Sequence, residues 1–405
     1  MTRIAVAGGT VFDGTGEPAA PGDVLVEDGR IVDVGPGLDG AADERIDATG
    51  MTVLPGLFDC HVHVCSSGLD LVQRLERPFS YQFYVAARNL SRMLDIGITS
   101  VREANGADLG IKRAVEDGLI DGPRMQIAIT MISQTGGHGD GRRPSGLTVM
   151  YNIAHPGRPD AIADGPDEVR RKVREIVRAG ADVIKVCTTG GILSARDHPH
   201  DAQFVPAELE ALADAARAAG RPFMAHAQSP VGIKNAVAAG ARSIEHGIHL
   251  DDESIEMMVE RGCWLVPTLV AGQAVLDLAA TGVRVSPIAV AKAAEAVEAH
   301  KESFARAVRA GVKIAMGTDT GVGPFGSNLE ELPLMRDGGM TPEQVLHATT
   351  GSAADLLGFT DLGRLQPGRV ADLVLIEGDA TDLDGLADRV RLVMVGGEIR
   401  RRVAA

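Results

Sequence analysis

Two histidines near the start of the chain are separated by a single residue within an apolar stretch. His61 and His63 lie in residues 57–64, whose composition predicts a β-strand. Because side chains alternate between the two faces of a strand, both imidazoles point to the same side. Imidazole nitrogen suits zinc and neighbouring divalent metals as a ligand. The pair alone could be a coincidence, so a metal site is predicted only if other ligands join it.

Four further polar residues lie at the carboxyl ends of predicted strands. They are Lys185, His226, His246 and Asp319. Each has an ordinary alternative role, such as a salt bridge, a hydrogen-bonded core histidine or a helix cap. A buried cluster of unpaired polar groups, however, costs several kcal/mol unless something binds it. Together with the histidine pair, these residues therefore predict a ligand-binding site at one end of the fold.

Strand-like and helical segments alternate through the middle of the chain. The clearest helix is predicted over residues 167–179, where Val169, Val173 and Ile176 recur at helical spacing before Gly180. This alternation predicts an α/β fold, a (β/α)8 TIM-type barrel over residues 55–359, with its active site at the carboxyl ends of the strands. The eight strands are predicted at residues 57–64, 98–102, 125–130, 183–186, 222–226, 243–246, 264–268 and 312–317.

The two ends of the chain differ from its middle, with short strand-like runs separated by glycine-containing turns. Residues 1–54 contain five such runs, and residues 370–376 and 390–395 form two more. Because the two ends have the same character, we expect residues 1–54 and 360–405 to form one small β-sandwich domain beside the barrel.

The overall composition excludes several classes of partner. Hydrophobic residues make up 45% of the 405 residues and charged residues 23%, which is ordinary for a globular protein. A formal net charge of −15 disfavours nucleic acid and anionic membranes as partners. No apolar run is long enough for a signal peptide or a membrane span, so we expect a cytoplasmic protein. We expect a small-molecule substrate and a homo-oligomer. The four cysteines are expected to be buried as small hydrophobic residues.

The chain resembles the amidohydrolase superfamily over nearly its whole length. It is most similar to the branch that contains imidazolonepropionase-like proteins, Xaa-Pro dipeptidases and related metal-dependent carboxypeptidases. The matching segments are 54–63 (LPGLFDCHVH), 97–103 (GITSVRE), 136–140 (GGHGD), 184–186 (IKV), 243–247 (SIEHG), 317–320 (GTDT) and 368–374 (GRVADLV).

The resemblance implies a site with two divalent metal ions, for which zinc is the favoured metal. His61 and His63 are then ligands of the first ion, with Lys185 and Asp319. His226 and His246 are ligands of the second ion. The resemblance further implies that CO₂ converts Lys185 into a carbamate, because a bare ammonium group repels cations whereas a carbamate offers two oxygens that can bridge them.

The resemblance also implies a mechanism of hydrolysis. A metal-bridging hydroxide attacks the substrate carbonyl, and Asp319 moves the proton to the departing amine. His138, in a glycine-rich loop, resembles the family residue that hydrogen-bonds the substrate carbonyl. Its alternative is a loop histidine without a role.

Candidates for substrate contacts are less clear. Family members often have Tyr two residues after the histidine of the fifth strand, where this chain has Gln228, and Phe325 replaces a histidine in the loop after the eighth strand. Arg142 and Tyr151 are further candidates, as are Arg102, Arg143 and Arg196. The other histidines are expected to face solvent: His155, His198, His200, His249, His300 and His347.

The main functional hypothesis is a hydrolase of amide bonds, such as a dipeptidase or carboxypeptidase acting on dipeptides or N-acyl amino acids. Hydrolysis of a lactam, carbamate, ester or xenobiotic amide uses the same groups and stays open. Deamination is less favoured, because mononuclear deaminases typically lack the lysine and carry glutamate where this chain has Ser229. A non-catalytic scaffold is also less favoured, because all six ligand positions are filled.

Overall fold

The computed structural model describes residues 2–66, 68–143, 145–149, 153–194 and 197–403. Its strands are β1 (Arg3–Val11), β2 (Ala20–Glu27), β3 (Arg30–Gly35), β4 (Glu44–Asp47), β5 (Met51–Pro55), β6 (Leu57–Val62), β7 (Ile98–Glu103), β8 (Arg124–Ile127), β9 (Met131–Ile132), β10 (Ile184–Cys187), β11 (Phe223–Ala227), β12 (Ser243–His246), β13 (Trp264–Val266), β14 (Lys313–Ile314), β15 (Leu373–Glu377), β16 (Val390–Val395) and β17 (Glu398–Arg402).

The helices fall almost entirely between the strands of the central region. They are α1 (Leu71–Glu76), α2 (Tyr81–Asp95), α3 (Leu109–Glu116), α4 (Gly165–Arg178), α5 (Pro206–Ala218), α6 (Pro230–Ala239), α7 (Asp252–Arg261), α8 (Leu269–Ala280), α9 (Pro287–Ala310), α10 (Glu331–Asp337), α11 (Pro342–Ala348) and α12 (Gly351–Leu357). Helix α4 buries Val169, Val173 and Ile176, as its helical spacing predicts. Within the described ranges, no helix has the length and apolarity that a membrane crossing requires.

Both ends of the chain contribute to one sheet of eight strands. Its order is β17-β16-β15-β5-β1-β2-β3, and β4 pairs with β1. The two ends meet where β15 runs antiparallel to β5 and Val374 lies opposite Leu54. Valines at alternate positions, such as Val24 and Val26, bury one face of this sheet. The pairing of the two ends agrees with the expected composite unit, while its form as a sandwich and its boundaries at residues 54 and 360 stay predictions.

The central region is an α/β fold with parallel sheets, as expected. One sheet has the order β14-β13-β12-β11-β10-β9 and the other has the order β6-β7-β8. A strand is present at each of the eight predicted positions. Strands β8 and β9 follow each other along one stretch, which Ile129 interrupts with a φ of 67°. Backbone hydrogen bonds also join β6 to the stretch after β14, from Cys60 N to Met316 O at 2.9 Å and from Asp319 N to His61 O at 2.8 Å.

Asp372 links the terminal sheet to the central region. Its carboxylate accepts hydrogen bonds from the Arg124 guanidinium at 3.0 and 3.2 Å and from Gly396 N at 2.6 Å. Asp372 is buried, whereas the Arg124 side chain remains 38% exposed. Removing the carboxylate leaves the amide of Gly396 and the guanidinium of Arg124, both partly buried, without their acceptor.

We therefore expect Asp372→Ala to lower the free energy of unfolding by about 1–3 kcal/mol. The control is Asp384→Ala, because Asp384 also pairs with an arginine, Arg336, but its side chain is 65% exposed. That change should cost less than about 1 kcal/mol. Urea unfolding of both variants measures the difference, and equal losses would contradict a special role for Asp372.

Candidate metal centre

A carboxylate and two imidazoles meet beyond the carboxyl end of β6. The Oδ1 atom of Asp319 lies 2.9 Å from Nε2 of His63 and 3.6 Å from Nε2 of His61. The ligand atoms of these three residues all lie within 4.8 Å of one another. Among the described residues this is the one group of three or more such side chains with that spacing. The donor set suits a divalent metal such as zinc.

The other three predicted ligands border the same cavity, which encloses about 130 Å³. Nζ of Lys185 is 3.4 Å from Nε2 of His61. The ring centroid of His246 lies 5.1 Å from that of His61 and 4.7 Å from that of His226. The structure thus brings together all six residues that the sequence predicts as ligands.

Each of the four imidazoles has one ring nitrogen engaged by a protein group. The Nδ1 atom of His61 lies 2.7 Å from Oε2 of Glu245, and Nδ1 of His63 lies 3.1 Å from the Asn105 carbonyl. Further partners are the Gly190 carbonyl for His226 Nε2 at 3.0 Å and the Thr268 hydroxyl for His246 Nδ1 at 2.7 Å.

These partners decide which nitrogen can bind a metal. Carboxylates and carbonyls only accept hydrogen bonds, so the engaged nitrogens of His61, His63 and His226 carry a proton. The other nitrogen then offers its lone pair in the neutral ring, which is the form that binds metal. The arrangement therefore leaves Nε2 of His61, His63 and His246 and Nδ1 of His226 for a metal ion.

Burial shifts the pKa values of these groups in the direction that metal binding needs. Burial, aided by the charge of Lys185, holds the pKa values of His61, His226 and His246 well below the usual 6.5. Burial also lowers the pKa of Lys185. His63 differs: burial lowers its pKa, but the hydrogen bond to Asp319, the charges of Asp319 and Glu103 and the bond to the Asn105 carbonyl together outweigh burial and raise it.

Two buried carboxylates, Glu245 and Asp59, support the predicted ligands through hydrogen bonds. Glu245 accepts from Arg102 at 2.9 Å as well as from His61, and Arg102 Nε donates to the Cys60 carbonyl at 2.8 Å. Asp59 accepts from the backbone amides of His61 and Thr318 at 3.1 and 3.2 Å. Burial raises the pKa of Asp59 to about 6. Asp59 ties the strand that carries His61 to the segment that carries Asp319.

The backbone is strained at two of the predicted ligands. His246 has a φ of 73° and Asp319 a φ of 58°, both in the left-handed region that non-glycine residues rarely adopt. Such conformations cost about 1–3 kcal/mol each and cluster at functional sites. The strain occurs where both chain segments turn a ligand into the cavity.

A profile of the Amidohydrolase family matches residues 52–400. The chain belongs to the amidohydrolase family. Ochratoxinase from Aspergillus niger is 34% identical over 390 aligned residues, covering 91% of this chain and 80% of that enzyme. Imidazolonepropionase from Rhizorhabdus wittichii is 28% identical and covers 87% of each chain. The solved structure of a Xaa-Pro dipeptidase with methionine bound in its active site matches with a TM-score of 0.90 and 30% identity, covering 99% of this chain and all of the other.

Membership of the family identifies this chain as a hydrolytic enzyme, and divalent metals are a general property of amidohydrolases. The branch expected from the motifs is confirmed by the imidazolonepropionase and the Xaa-Pro dipeptidase. The His61, His63 and Asp319 group fits that property.

His138 of this amidohydrolase lies directly beside the predicted ligands. Its ring stacks on that of His226 with centroids 4.2 Å apart and an interplanar angle of 13°. Its Nδ1 atom lies 3.0 Å from the Ser194 hydroxyl. His138 also borders the cavity.

Only some of the residues predicted to contact the substrate border the cavity. Gln228 is buried at the cavity wall, and its Oε1 atom has no hydrogen-bond partner within the described part of the chain. Phe325 packs against the main core, and Arg142 is exposed, so neither is among the described residues at the cavity wall. Tyr151 and Arg196 lie outside the described residues. Arg102 is buried and bonded to Glu245, which excludes it as a substrate contact.

The expectation that the remaining histidines face solvent is confirmed for His198 and His200, which are exposed, and is wrong for His155, His249 and His347, which are partly buried, and for His300. His300 does not face solvent but is buried at the cavity wall, with Nε2 2.9 Å from the His246 carbonyl. Burial lowers its pKa to about 4. His300 lies on the face of the long helix α9 that borders the cavity. The sequence alone does not show which face of this helix meets the strands.

We expect Glu245→Gln to weaken metal binding by about 10- to 100-fold, because the charge that fixes the protonated Nδ1 of His61 is lost. Competition with a coloured zinc chelator measures the affinity. The control is Glu256→Gln, an exposed residue on α7. Equal affinities in the two variants would show that Glu245 does not orient His61.

Proposed function

We propose that this chain is a hydrolase of amide bonds that uses two divalent metal ions, with zinc as the favoured metal. The observation that supports it best is the set of four imidazoles whose outer nitrogens are all engaged, facing one cavity with Asp319 and Lys185. The Xaa-Pro dipeptidase and ochratoxinase relatives favour a peptide-type bond. Dipeptides and N-acyl amino acids are the proposed substrates.

The proposal includes the finer features of the fold. Hydrogen bonds from β6 to the stretch after β14, together with the continuity of β8 and β9, support closure of the parallel sheets into one (β/α)8 barrel. We also propose that the protein acts in the cytoplasm as a homo-oligomer on small molecules.

Lys185 is proposed to carry a carbamate derived from CO₂. Only a neutral amine can attack CO₂, and burial lowers the pKa of Lys185 towards that form. The carbamate replaces a cation with an anion between His61 and the second pair of histidines. Charge balance around two divalent ions favours this replacement.

The metal ions, when bound, activate a water molecule and polarise the substrate carbonyl. Asp319 accepts the proton of the attacking water and delivers it to the departing amine. Burial raises the pKa of Asp319, but the hydrogen bond from His63 and the charges of His61, His63 and Lys185 together lower it and keep the carboxylate ready as a base. His138 hydrogen-bonds the carbonyl oxygen as negative charge develops. Gln228, with its unpartnered buried oxygen, is positioned to accept a hydrogen bond from the substrate.

A panel of substrates tests the proposal. The zinc-loaded protein is incubated with dipeptides, N-acyl amino acids, lactams, carbamates and esters, and the release of amine, acid and ammonia is measured. Turnover of dipeptides or N-acyl amino acids supports the proposal. Turnover confined to lactams, carbamates or esters assigns the alternative hydrolase, and ammonia release alone assigns deamination.

We expect Lys185→Ala to lose at least one metal ion and nearly all turnover, because the bridging anion is removed. The matched control is Lys172→Ala on α4. Lys172 is also buried, but its ammonium group pairs with Asp160 at 2.9 Å. Metal content is measured by inductively coupled plasma mass spectrometry. Labelling with ¹³C-bicarbonate detects the carbamate. Two metal ions and normal turnover in Lys185→Ala would exclude the dinuclear arrangement.

One part of the cavity wall is aliphatic. Ala271 and Val275 of α8 and Val297 of α9 lie in it. A Cβ atom on Gly272 would meet Val297 at 3.2 Å, so this glycine lets α8 and α9 pack closely behind the wall.

We expect Ala271→Leu to reduce kcat/KM for substrates with a bulky apolar acyl group by about tenfold or more, and to spare N-acetyl substrates, because Ala271 borders the cavity. The control is Gln273→Leu, an exposed residue on the same helix. Parallel kinetics with both substrate sizes give the ratio. A loss that is equal for both sizes would show that Ala271 does not shape the substrate pocket.

A further inference from the structure

Lys292 is a buried lysine on α9 whose ammonium group is bonded to one loop. It donates to the carbonyl oxygens of Gly191 at 2.9 Å and Ser194 at 2.8 Å, and to that of Asp197. These three acceptors match the three N–H donors of an ammonium group. Lys292 itself does not border the cavity among the described residues. Its whole hydrogen-bonding capacity is thus used on the segment between β10 and α5. We call the described residues of this segment, 188–194 and 197–205, the 188–205 loop.

The 188–205 loop contacts two functional histidines. The Gly190 carbonyl engages Nε2 of His226 at 3.0 Å, which leaves Nδ1 for a metal. The Ser194 hydroxyl donates to Asp197 and lies 3.0 Å from Nδ1 of His138. Each of the three carbonyls that Lys292 holds lies in or next to one of these contacts.

A second route joins the same loop to the backbone of His138. The Oδ2 atom of Asp197 accepts from Gln203 at 3.0 Å, and Gln203 Oε1 accepts from His138 N at 3.0 Å. The loop backbone also packs against the ring, because a Cβ atom on Gly191 would lie 2.3 Å from Cε1 of His138. Position 191 must therefore be glycine while the ring stays where it is.

We propose that Lys292 is a positioning residue, which fixes the 188–205 loop so that Gly191 and Ser194 hold the His138 ring at the cavity and Gly190 orients His226 towards the metal. The effect on catalysis rests on the proposed amide hydrolysis, whereas the effect on the loop does not. An ammonium group serves here because no neutral side chain offers three diverging donors to three carbonyls. Loss of these bonds releases the loop without removing any group that meets the substrate.

The first test is hydrogen–deuterium exchange of Lys292→Met against the wild-type chain, both free of added metal. The amides to follow are Gly190, bonded to Asp201 O at 3.0 Å, and Gln203, bonded to Thr188 O at 2.9 Å. We expect their exchange to accelerate at least tenfold in Lys292→Met. The control is Lys301→Met on the same helix, whose side chain is 53% exposed and pairs with Glu298. Unchanged protection in Lys292→Met would overturn the inference, whether or not the protein cleaves amides.

The second test is kinetic and uses the best amide substrate of the panel with zinc-loaded protein. We expect Lys292→Met to lower kcat about 10- to 100-fold. This loss is no larger than the loss of kcat that removal of one oxyanion-hole donor typically causes. KM should change less. In a His138→Gln background, Lys292→Met should cause little further loss of kcat, because residues that act as one unit are not additive. A full additional loss would overturn the role through His138.

Rescue separates positioning from a general loss of structure. Ethylammonium added to Lys292→Ala supplies the three N–H donors, and we expect it to restore kcat in part. Tetramethylammonium has the same charge without N–H donors and should not restore it. Equal effects of the two ions would contradict the hydrogen-bonding role. If Lys292→Met does not fold, Lys292→Gln compared with Lys301→Gln provides the same exchange and kinetic comparisons, with the same outcomes deciding.

Discussion

The whole site depends on one constraint, which is that a buried imidazole binds a metal through only one nitrogen and needs an acceptor for the other. Four such acceptors are present, and each comes from a different part of the chain: Glu245, the Asn105 and Gly190 carbonyls, and Thr268. The acceptors need supports of their own. Glu245 is held by Arg102, and a buried carboxylate, Glu331, accepts from the first amides of the helix that follows Thr268. The strands supply approximate positions, and this second layer of hydrogen bonds fixes the tautomers.

Electrostatic balance explains why so many charged groups can be buried here. The described part of the cavity lining combines histidines with Lys185, Arg74 and Asp319, and the layer behind it pairs Arg102 with Glu245. Asp59 has no cationic partner among the described residues but accepts four hydrogen bonds, from His61 N, Thr318 N, the Thr318 hydroxyl and Asn328. Such a network tolerates a charge only while every donor stays in place. The rigidity of the ligands is therefore a consequence of how the charges are accommodated.

The convergence of the six candidate ligands on one cavity could be predicted because it follows from local rules. Polar residues at the carboxyl ends of strands are unusual in sequence, and parallel strands bring those ends together. The partners behind the ligands follow no such rule: Glu245 is 184 residues from His61, and Thr318 is 259 residues from Asp59. Alternation of side chains along β12 predicts that Glu245 and His246 lie on opposite faces of the sheet. That prediction fails because His246 adopts a positive φ. His300 was missed for a related reason, since helical spacing alone does not identify the buried face of α9.

The 188–205 loop contacts both the histidines and the apolar wall of the cavity. Gly190 and Ser194 contact His226 and His138, while Ile192 and Leu193 between them form part of the apolar wall. A substrate group that presses on Ile192 or Leu193 thus acts on the backbone that orients two histidines. Lys292 resists such movement from the opposite side, through α9. Under the proposed function, substrate size and the orientation of His138 are therefore coupled through the backbone of this loop.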